Sequence, residues 1–421
     1  MTRKRYRPNW FLIGILVILI GLGAYVDRVI VPSIPPPFVP TPTSTRSAES
    51  FIAEAQKAFD EGNLLQSIEY YKEALRSDPQ GASIYVSMAQ VQVFAGQYAD
   101  GEASAANAIL LNTDHSMAHA VRAWALDFQG DTIGAMDSIQ RALDLDPNNG
   151  IAHAYYVEIL VDNYQAGTGG FDDLTKAADE SRVALSLAPD TIEANRARGY
   201  ILEATANYEE AIQYYTKAIE INDKIPNLHL ALGRNYRYLQ VTDQAIEEFT
   251  RANALNPADP IPDLLISRTY ASIGEFAKAA QFAQSAVNDA PTDASLRGNY
   301  GVMLYHNVDW VEAVGQLGLA INGGKTEDGK PIEKIPLSTE VRVVEYYFTY
   351  GIALARLNRC GEALQVAQQI LGRVPADEIA VANANETIRI CEKNLSASPT
   401  PAAATPSPTN TPALETPTPA P

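Results

Sequence analysis

The sequence repeats itself with a period of about 34 residues over most of its length. Ala211, Ala245, Ala279 and Ala313 are equally spaced at this period, and so are Ala218, Ala252, Ala286 and Ala320. A period of roughly 20 to 50 residues, held this long, is typical of a solenoid, in which each unit packs on its neighbours. The sequence therefore predicts one continuous array instead of the separate globular domains that 421 residues would otherwise suggest.

One unit shows why these positions recur. Between residues 227 and 257, the small and apolar positions are His229, Leu232, Gly233 and Tyr236, followed by Ala245, Phe249 and Ala252. Their spacing of three and four residues predicts two helices, each with one apolar face. Gly233 and Ala245 are small enough for the helices to approach closely, and Pro257 ends the second helix. One pair of helices cannot bury this face alone, so the units are predicted to stack.

This pattern resembles the tetratricopeptide repeat, with His229 in the place that the family usually gives to tryptophan. The same frame fits nine units, with insertions of 8 residues in the fourth and 16 in the eighth. The predicted units are 48–81, 82–115, 116–149, 150–191, 192–225, 226–259, 260–293, 294–343 and 344–377. The resemblance implies an all-α fold, a right-handed α-solenoid of nine helical hairpins. An amphipathic helix predicted at 378–395 would cap the last hairpin.

An apolar segment near the N-terminus predicts a membrane anchor. No charge occurs from Trp10 to Val26, and after Asp27 and Arg28 the apolar character continues from Val29 to Val31, so residues 10–31 are long enough to span a bilayer. Lys and Arg are concentrated in residues 1–9, which places this basic N-terminus in the cytoplasm and the repeats on the extracytoplasmic side of the cytoplasmic membrane. A cleaved signal peptide is the alternative, and it would export the repeats as well.

Proline-rich segments flank the repeats. Residues 32–47 contain six prolines, and residues 396–421 contain eight among Thr, Ala and Ser. Segments of this composition cannot bury a core, so we expect an extended linker and a disordered tail.

Charge and motif content argue against several functions. With 50 acidic and 32 basic residues the net charge is −18, which is unfavourable for binding nucleic acid. No catalytic or nucleotide-binding motif occurs, so we expect neither an enzyme nor a cofactor. His115 and His119 have the spacing of a metal-binding helix face. However, His119, His153 and His229 share one repeat position, which favours packing over metal ligation.

Three features leave alternatives open. The glycines at 167–170, inside the fourth unit's insertion, lack the Gly-Lys-Ser/Thr of a phosphate loop, so a widened helix–helix turn is expected. The insertion at 323–338 would be either a binding loop or a surface excursion. Cys360 and Cys391 would lie close together in a helical stack, and they would be either a disulfide or two buried thiols.

In tetratricopeptide solenoids the first helices line a concave groove. By this register the predicted partner-binding residues are Trp124, Arg196, Tyr200, Arg234, Arg237, Arg268 and Tyr305. The four arginines would form a basic patch suited to an acidic segment of a protein or peptide partner. Alternatively, the arginines pair with Glu193 and Glu203, and Trp124 is a packing residue.

The sequence thus predicts a membrane-anchored interaction scaffold that binds a protein partner in its groove. The alternative is an accessory module that presents a peptide or glycan substrate to a cell-envelope enzyme. The sequence does not identify the partner.

Overall fold

The structure, a computed structural model, describes residues 9–30 and 46–397. Helix α1 (Trp10–Tyr25) continues into a π-helical turn, Val26–Ile30. Residues Trp10–Val29 have a mean hydropathy of 2.2, and none of them is buried, so this helix is long and apolar enough to cross a membrane. The predicted basic N-terminus, proline-rich linker and tail lie almost wholly outside the described residues.

Nine helical hairpins follow, which we number 1 to 9 in chain order. Hairpins 1 to 5 are α2 (Ala48–Asp60) with α3 (Leu64–Ser77), α4 (Ala82–Phe94) with α5 (Tyr98–Leu111), α6 (Ser116–Phe128) with α7 (Thr132–Leu145), α8 (Gly150–Gln165) with α9 (Phe171–Leu187), and α10 (Ile192–Ala204) with α11 (Tyr208–Ile221). Hairpins 6 to 9 are α12 (Pro226–Tyr238) with α13 (Thr242–Leu255), α14 (Pro260–Ser272) with α15 (Phe276–Asp289), α16 (Ala294–His306) with α17 (Trp310–Asn322), and α18 (Val341–Arg356) with α19 (Cys360–Arg373). Helix α20 (Glu378–Ala397) packs on both helices of hairpin 9. The predicted solenoid of nine hairpins with a capping helix is confirmed.

Each hairpin reverses direction at one residue with a left-handed backbone. These residues are Gly62, Gly96, Gly130, Gly167, Ala206, Gln240, Gly274, Val308 and Asn358, with φ between 58° and 80°. The next backbone N–H then reaches back to close the first helix, as Gln97 does to the carbonyl of Gln92 at 2.8 Å. Glycine adopts this conformation without strain, whereas β-branched Val308 does not.

The two helices of a hairpin meet at small residues, as the sequence predicted. A Cβ on Gly233 would lie 2.6 Å from the ring of Phe249 and 3.2 Å from the carbonyl oxygen of Ala245. Phe249 and Ala245 are fully buried. The closest point of the hairpin therefore has no room for a side chain at position 233.

The two insertions take different forms. In hairpin 4, α8 and α9 have 16 and 17 residues, against 13 and 14 in hairpin 3. The expected widened turn is therefore corrected: most of the extra residues lengthen the two helices. The insertion at 323–338 forms a two-stranded antiparallel β-hairpin, β1 (Gly324–Lys325) and β2 (Pro331–Ile332). Ile332 and Leu337 are buried, so this segment is anchored on the solenoid.

The solenoid curves tightly enough for its first hairpin to contact the fifth and sixth. The side-chain amide of Asn222 donates a hydrogen bond to the carbonyl of Phe59 at 3.4 Å. A Cβ on Gly62 would lie 2.6 Å from the Cβ of Lys224. The first helices of hairpins 3, 4 and 5 pack directly on one another, whereas those of hairpins 5 to 8 touch only sparsely. Hairpins 1 to 6 thus close into a ring, and the later hairpins leave a wider concave face.

Candidate functional site

Trp124 lies inside the ring and is not accessible. Its side chain is 1% exposed, stacks on Tyr155 at 4.5 Å between ring centroids, and meets Phe94 edge-on at 5.0 Å. Its indole N–H donates to Glu158 Oε2 at 2.9 Å. The expectation of an exposed, partner-binding indole is corrected, because closure of the ring makes Trp124 a core residue.

Arg196 is part of the same buried cluster. Its guanidinium forms a bidentate ion pair with Glu158, at 2.8 and 2.9 Å, and lies 4.6 Å from the centroid of the Trp124 ring. Both members of the pair are buried. Arg196 is therefore also a buried residue and not the partner-binding residue that we expected. Its ion-pair partner is Glu158 instead of the anticipated Glu193.

Tyr200 and Arg234 also have internal partners. Arg234 Nε and Nη2 donate to the two carboxylate oxygens of Glu203, at 2.8 and 3.2 Å. The hydroxyl of Tyr200 donates to Asp162. Burial, followed by the negative charge of Asp162, raises the pKa of Tyr200. For Arg234 the pairing with Glu203 is the alternative that the sequence had left open.

Arg237 and Arg268 are arranged differently. Both are partly buried on the first helices of hairpins 6 and 7, and neither forms an ion pair with a carboxylate within residues 46–397. Arg268 Nε donates to the side-chain oxygen of Asn299 at 3.4 Å. Partial burial and then the positive charge of Arg342 lower the pKa of Arg268, and partial burial with the charges of Arg234 and Arg342 lowers that of Arg237. The positive charge of Arg342 thus acts on both Arg237 and Arg268, and that of Arg237 acts on Arg268; we call these three residues the arginine cluster.

The sequence did not single out Arg342. It lies exposed at the start of α18, after the insertion, and pairs with the partly buried Glu345 at 2.9 Å. Helix α18 has 16 residues, three more than most first helices. Arg342 lies in the extra turn at the start of α18, so the repeat pattern could not assign it to the groove. Only the folded insertion brings it towards hairpins 6 and 7.

Tyr305 lies at the C-terminal end of α16, next to an aromatic and cationic group of side chains. The Arg356 guanidinium carbon is 5.7 Å from the centroid of the Tyr305 ring and 4.9 Å from that of Trp310. Tyr305 is partly buried, and Arg356 is exposed. Of the four predicted groove arginines, Arg237 and Arg268 thus form no ion pair within residues 46–397, and the partner-binding role of these two and of Tyr305 stays a prediction.

The histidines have a repeated structural contact. His119, His153 and His229 each place Nε2 at 3.0 Å from the carbonyl oxygen six residues earlier. Asn195 and Arg297 occupy the same repeat position and donate to the carbonyls of Pro189 and Pro291. This position therefore ties the first helix of a hairpin to the loop before it. Within residues 9–30 and 46–397 no group of three or more His, Cys, Asp and Glu is placed to hold a metal ion.

The two cysteines are joined in a disulfide between the start of α19 and the capping helix α20. Cys360 is 7% exposed and Cys391 is fully buried. The bond links residues 31 apart in sequence and fastens α20 to hairpin 9.

Comparison with known families identifies the repeats. A family model described as tetratricopeptide repeat matches residues 192–225, and another with the same description matches residues 86–150 and 230–294. The matched segments cover parts of hairpins 2, 3, 5, 6 and 7 and coincide with the observed helix pairs. The chain therefore contains tetratricopeptide repeats.

Individual relatives are distant. Anaphase-promoting complex subunit 6 of Arabidopsis thaliana is 28% identical over 107 residues, which is 25% of this chain and 20% of that protein. The chain thus spans about a fifth of the length of this curated relative.

Three solved structures are similar to parts of the chain. PilF of Pseudomonas aeruginosa is 20% identical with a TM-score of 0.41, and the match covers 49% of this chain and 91% of that one. A tetratricopeptide repeat protein of Parabacteroides merdae is 15% identical with a TM-score of 0.40, over 61% and 98% of the two chains. PilW, described as a type IV pilus biogenesis factor, is 23% identical with a TM-score of 0.42, over 48% and 90%.

Proposed function

We propose that this chain is a membrane-anchored scaffold that holds a protein partner against the concave face of hairpins 6 to 9. Tetratricopeptide repeats are stacked hairpins whose curvature creates extended binding surfaces. Helix α1 supplies the candidate anchor, and the basic residues before it favour an extracytoplasmic position for the repeats.

The concave face of hairpins 1 to 5 is a poor candidate for the partner site. Trp124, Arg196 and Glu158, which would face a partner in an open solenoid, are buried against one another. While the ring stays closed, a partner cannot contact the buried Trp124. The first helices of hairpins 5 to 8 touch one another only sparsely, and Arg237, Arg268 and Tyr305 on the first helices of hairpins 6 to 8 are partly exposed.

The observation that carries the proposal is the arginine cluster. In a chain of net charge −18, Arg237 and Arg268 lie partly buried near Arg342 and have no carboxylate partner within residues 46–397. Guanidinium groups of like charge raise one another's free energy, and an incoming carboxylate relieves this while accepting paired hydrogen bonds. We therefore infer that an acidic segment of the partner binds at this cluster.

A crosslinking experiment tests the site. A photoreactive amino acid is placed at position 271, a partly exposed residue one helical turn after Arg268 on α14, and in a matched variant at position 220, on the exposed face of α11. In intact cells we expect a protein adduct from position 271 only. Adducts of equal yield from both positions would contradict the groove assignment.

Charge reversal then tests the chemistry. The double variant Arg237→Glu/Arg268→Glu should reduce the adduct from position 271 by at least about tenfold, since each charge-assisted hydrogen bond contributes roughly 1.5–3 kcal/mol. The control is Arg251→Glu together with Lys217→Glu, which makes the same charge change on second helices. If the Arg237→Glu/Arg268→Glu variant gave as much adduct as the wild type, the inference that an acidic segment binds there would be wrong. Crosslinking to a glycan instead of a protein would favour the alternative in which the chain presents substrate to an enzyme.

A further inference from the structure

A cavity of about 460 Å³ lies at the axis of the ring, apart from the arginine cluster. The side chains that matter for its chemistry are Tyr98, Phe128, Asp162, Tyr200, Arg234 and Asp259. They come from hairpins 2 to 7, so the cavity exists only because the solenoid closes. Its size suits a small ligand or one long side chain of a partner.

Aromatic rings form one side of this axial cavity. Tyr98 and Phe128 stack with their centroids 4.6 Å apart and their planes at 7°. Phe128 is 41% exposed, so the stack is in contact with solvent, while Tyr200 is partly buried. The electron-rich faces of such rings attract an organic cation when it is partly desolvated.

The charges around the cavity do not balance. The two arginines that line it are neutralised by Glu158 and Glu203 in bidentate pairs. The carboxyl groups that are left, those of Asp127, Asp162 and Asp259, appear in none of the ion pairs formed within residues 46–397. Asp259 accepts the backbone N–H of Ile261, and Asp162 accepts the hydroxyl of Tyr200.

A proton currently offsets part of this excess negative charge. Burial, and then the charge of Asp162 with a hydrogen bond to it and the charge of Glu158, raises the pKa of Asp127 to about 9. At neutral pH the folded protein therefore keeps Asp127 protonated against Asp162. The second oxygen of Asp127 is buried and has no hydrogen-bond partner within residues 46–397.

We propose that the axial cavity binds an alkylammonium group, held by Asp162 and Asp259 and covered by the rings of Tyr98, Phe128 and Tyr200. The bound cation takes over the role of the Asp127 proton, which is released to solvent as Asp127 ionises. No covalent bond is made or broken. The ammonium group can belong to a free amine or to a lysine side chain of a bound protein, and the chemistry of recognition is the same.

Isothermal titration calorimetry of the full chain in detergent tests the proposal with two probes. One is n-pentylamine, and the other is a blocked pentapeptide with a single central lysine. Pentanol and the same peptide with glutamine in place of lysine are the neutral controls. Saturable binding of either cationic probe, without binding of its neutral control, is expected. Binding of the amine alone identifies a small-molecule site, and binding of the peptide alone identifies a side-chain site. No saturable binding of either probe up to about 10 mM would overturn the proposal.

Variants and pH supply independent readouts. Asp162→Asn should weaken binding at least about tenfold, as expected for loss of one charged hydrogen bond, while Asp179→Asn on the outer helix α9 should leave it unchanged. In the wild type, affinity should rise by up to about tenfold per pH unit from pH 7 towards 9, because binding displaces the Asp127 proton. Asp127→Asn should abolish this pH dependence. If Asp162→Asn bound the cation as tightly as the wild type, the proposed cation exchange would be refuted. A wild-type affinity that does not change with pH would also refute it, and that measurement needs no variant to fold.

Discussion

The side chain of Asn222 donates a hydrogen bond to the backbone carbonyl of Phe59, although 163 positions separate the two residues in the sequence. Such a contact is unusual for a solenoid, in which each unit normally meets only its neighbours. Here it joins hairpin 1 to the loop between hairpins 5 and 6, next to the close approach of Gly62 and Lys224. The contact closes the first six hairpins into one ring, in which Phe59 and Leu64 of hairpin 1 pack against the core formed by hairpins 2 to 6.

The ring contact can be tested at Gly62. Gly62→Ala adds a methyl group 2.6 Å from the Cβ of Lys224 at a residue with φ of 80°. Gly96→Ala is the matched control, because Gly96 has φ of 75° and no heavy atom within 4 Å of the added carbon. Both variants should lose about 1 kcal/mol through backbone strain, and Gly62→Ala a further 1–3 kcal/mol through overpacking.

Urea unfolding and hydrogen exchange distinguish these effects. We expect faster amide exchange in α2 and α3 for Gly62→Ala only, together with a larger radius of gyration in solution scattering. Identical exchange in the two variants would show that the contact between Gly62 and Lys224 does not stabilise the ring.

Val308 offers a stabilising substitution. It has φ of 68° at the turn of hairpin 8, where five other hairpins have glycine, and its side chain is 66% exposed. Val308→Gly should therefore raise the free energy of unfolding by about 1 kcal/mol, because relief of strain outweighs the greater flexibility of the unfolded chain. The comparison is Val311→Gly, three residues later in helix α17, which should lower stability by about 1 kcal/mol. A loss of stability in Val308→Gly would contradict the strain assigned to this turn.

Asp263 should make stability depend on pH. It is 5% exposed at the repeat position where His229 and Arg297 contact the preceding loop, and Asn253 donates to it at 3.0 Å. Burial, and then the charge of Asp289, raises the pKa of Asp263 from 3.8 to about 6. The folded state therefore binds more protons than the unfolded state between these values, and stability falls as pH rises through about 6.

The matching variant is Asp263→Asn. An amide stays neutral and can donate to the loop, as Asn195 does to Pro189 at 2.8 Å. Thermal unfolding should show a gain of about 2 kcal/mol over the wild type at pH 8 that vanishes near pH 4. Exposed Asp137→Asn is the control and should show no such trend. A gain of the same size at both pH values would mean that protonation of Asp263 is not its cause.

The disulfide should stabilise hairpin 9 and its cap. Linking residues 31 apart restricts the unfolded chain, and loss of such a link typically costs about 3–4 kcal/mol. Cys360→Ser/Cys391→Ser should lower stability by this amount and increase amide exchange mainly in α20. Addition of a reductant to the wild type should give the same result, and it should not affect the variant further. Two alkylatable thiols in protein isolated without reductant would show that the bond does not form in the cell.

The repeat fold could be predicted from sequence because its determinants are local and recur. Gly233, Ala245 and Phe249 occupy positions that every hairpin must fill in a similar way, so the regular repeat period reveals them. The inner surface was predicted less well. Register places Trp124 and Arg196 on the first helices, but their burial depends on the curvature of the whole array.

The sequence of a single repeat unit contains no pattern that predicts this curvature. It results from small rotations between neighbouring hairpins, and the lengthened helices α8 and α9 lie in the part where first helices pack most closely. Because of this insertion, equivalent positions in hairpins 4 and 5 are 42 residues apart, as Glu158 and Tyr200 are, and Arg196 lies one helical turn before Tyr200. Arg342 was missed for a related reason, since the folded segment before α18 interrupts the repeat frame.

The hydrogen bond between Asn222 and Phe59 also constrains how this gene can evolve. An open array tolerates duplication or deletion of a unit, because the remaining junctions are unchanged. Here, one unit more or fewer between hairpins 1 and 6 would rotate the two surfaces out of register and expose the shared core. We expect homologous chains to keep the number of units in this half constant and to vary, where they vary, towards the C-terminal end.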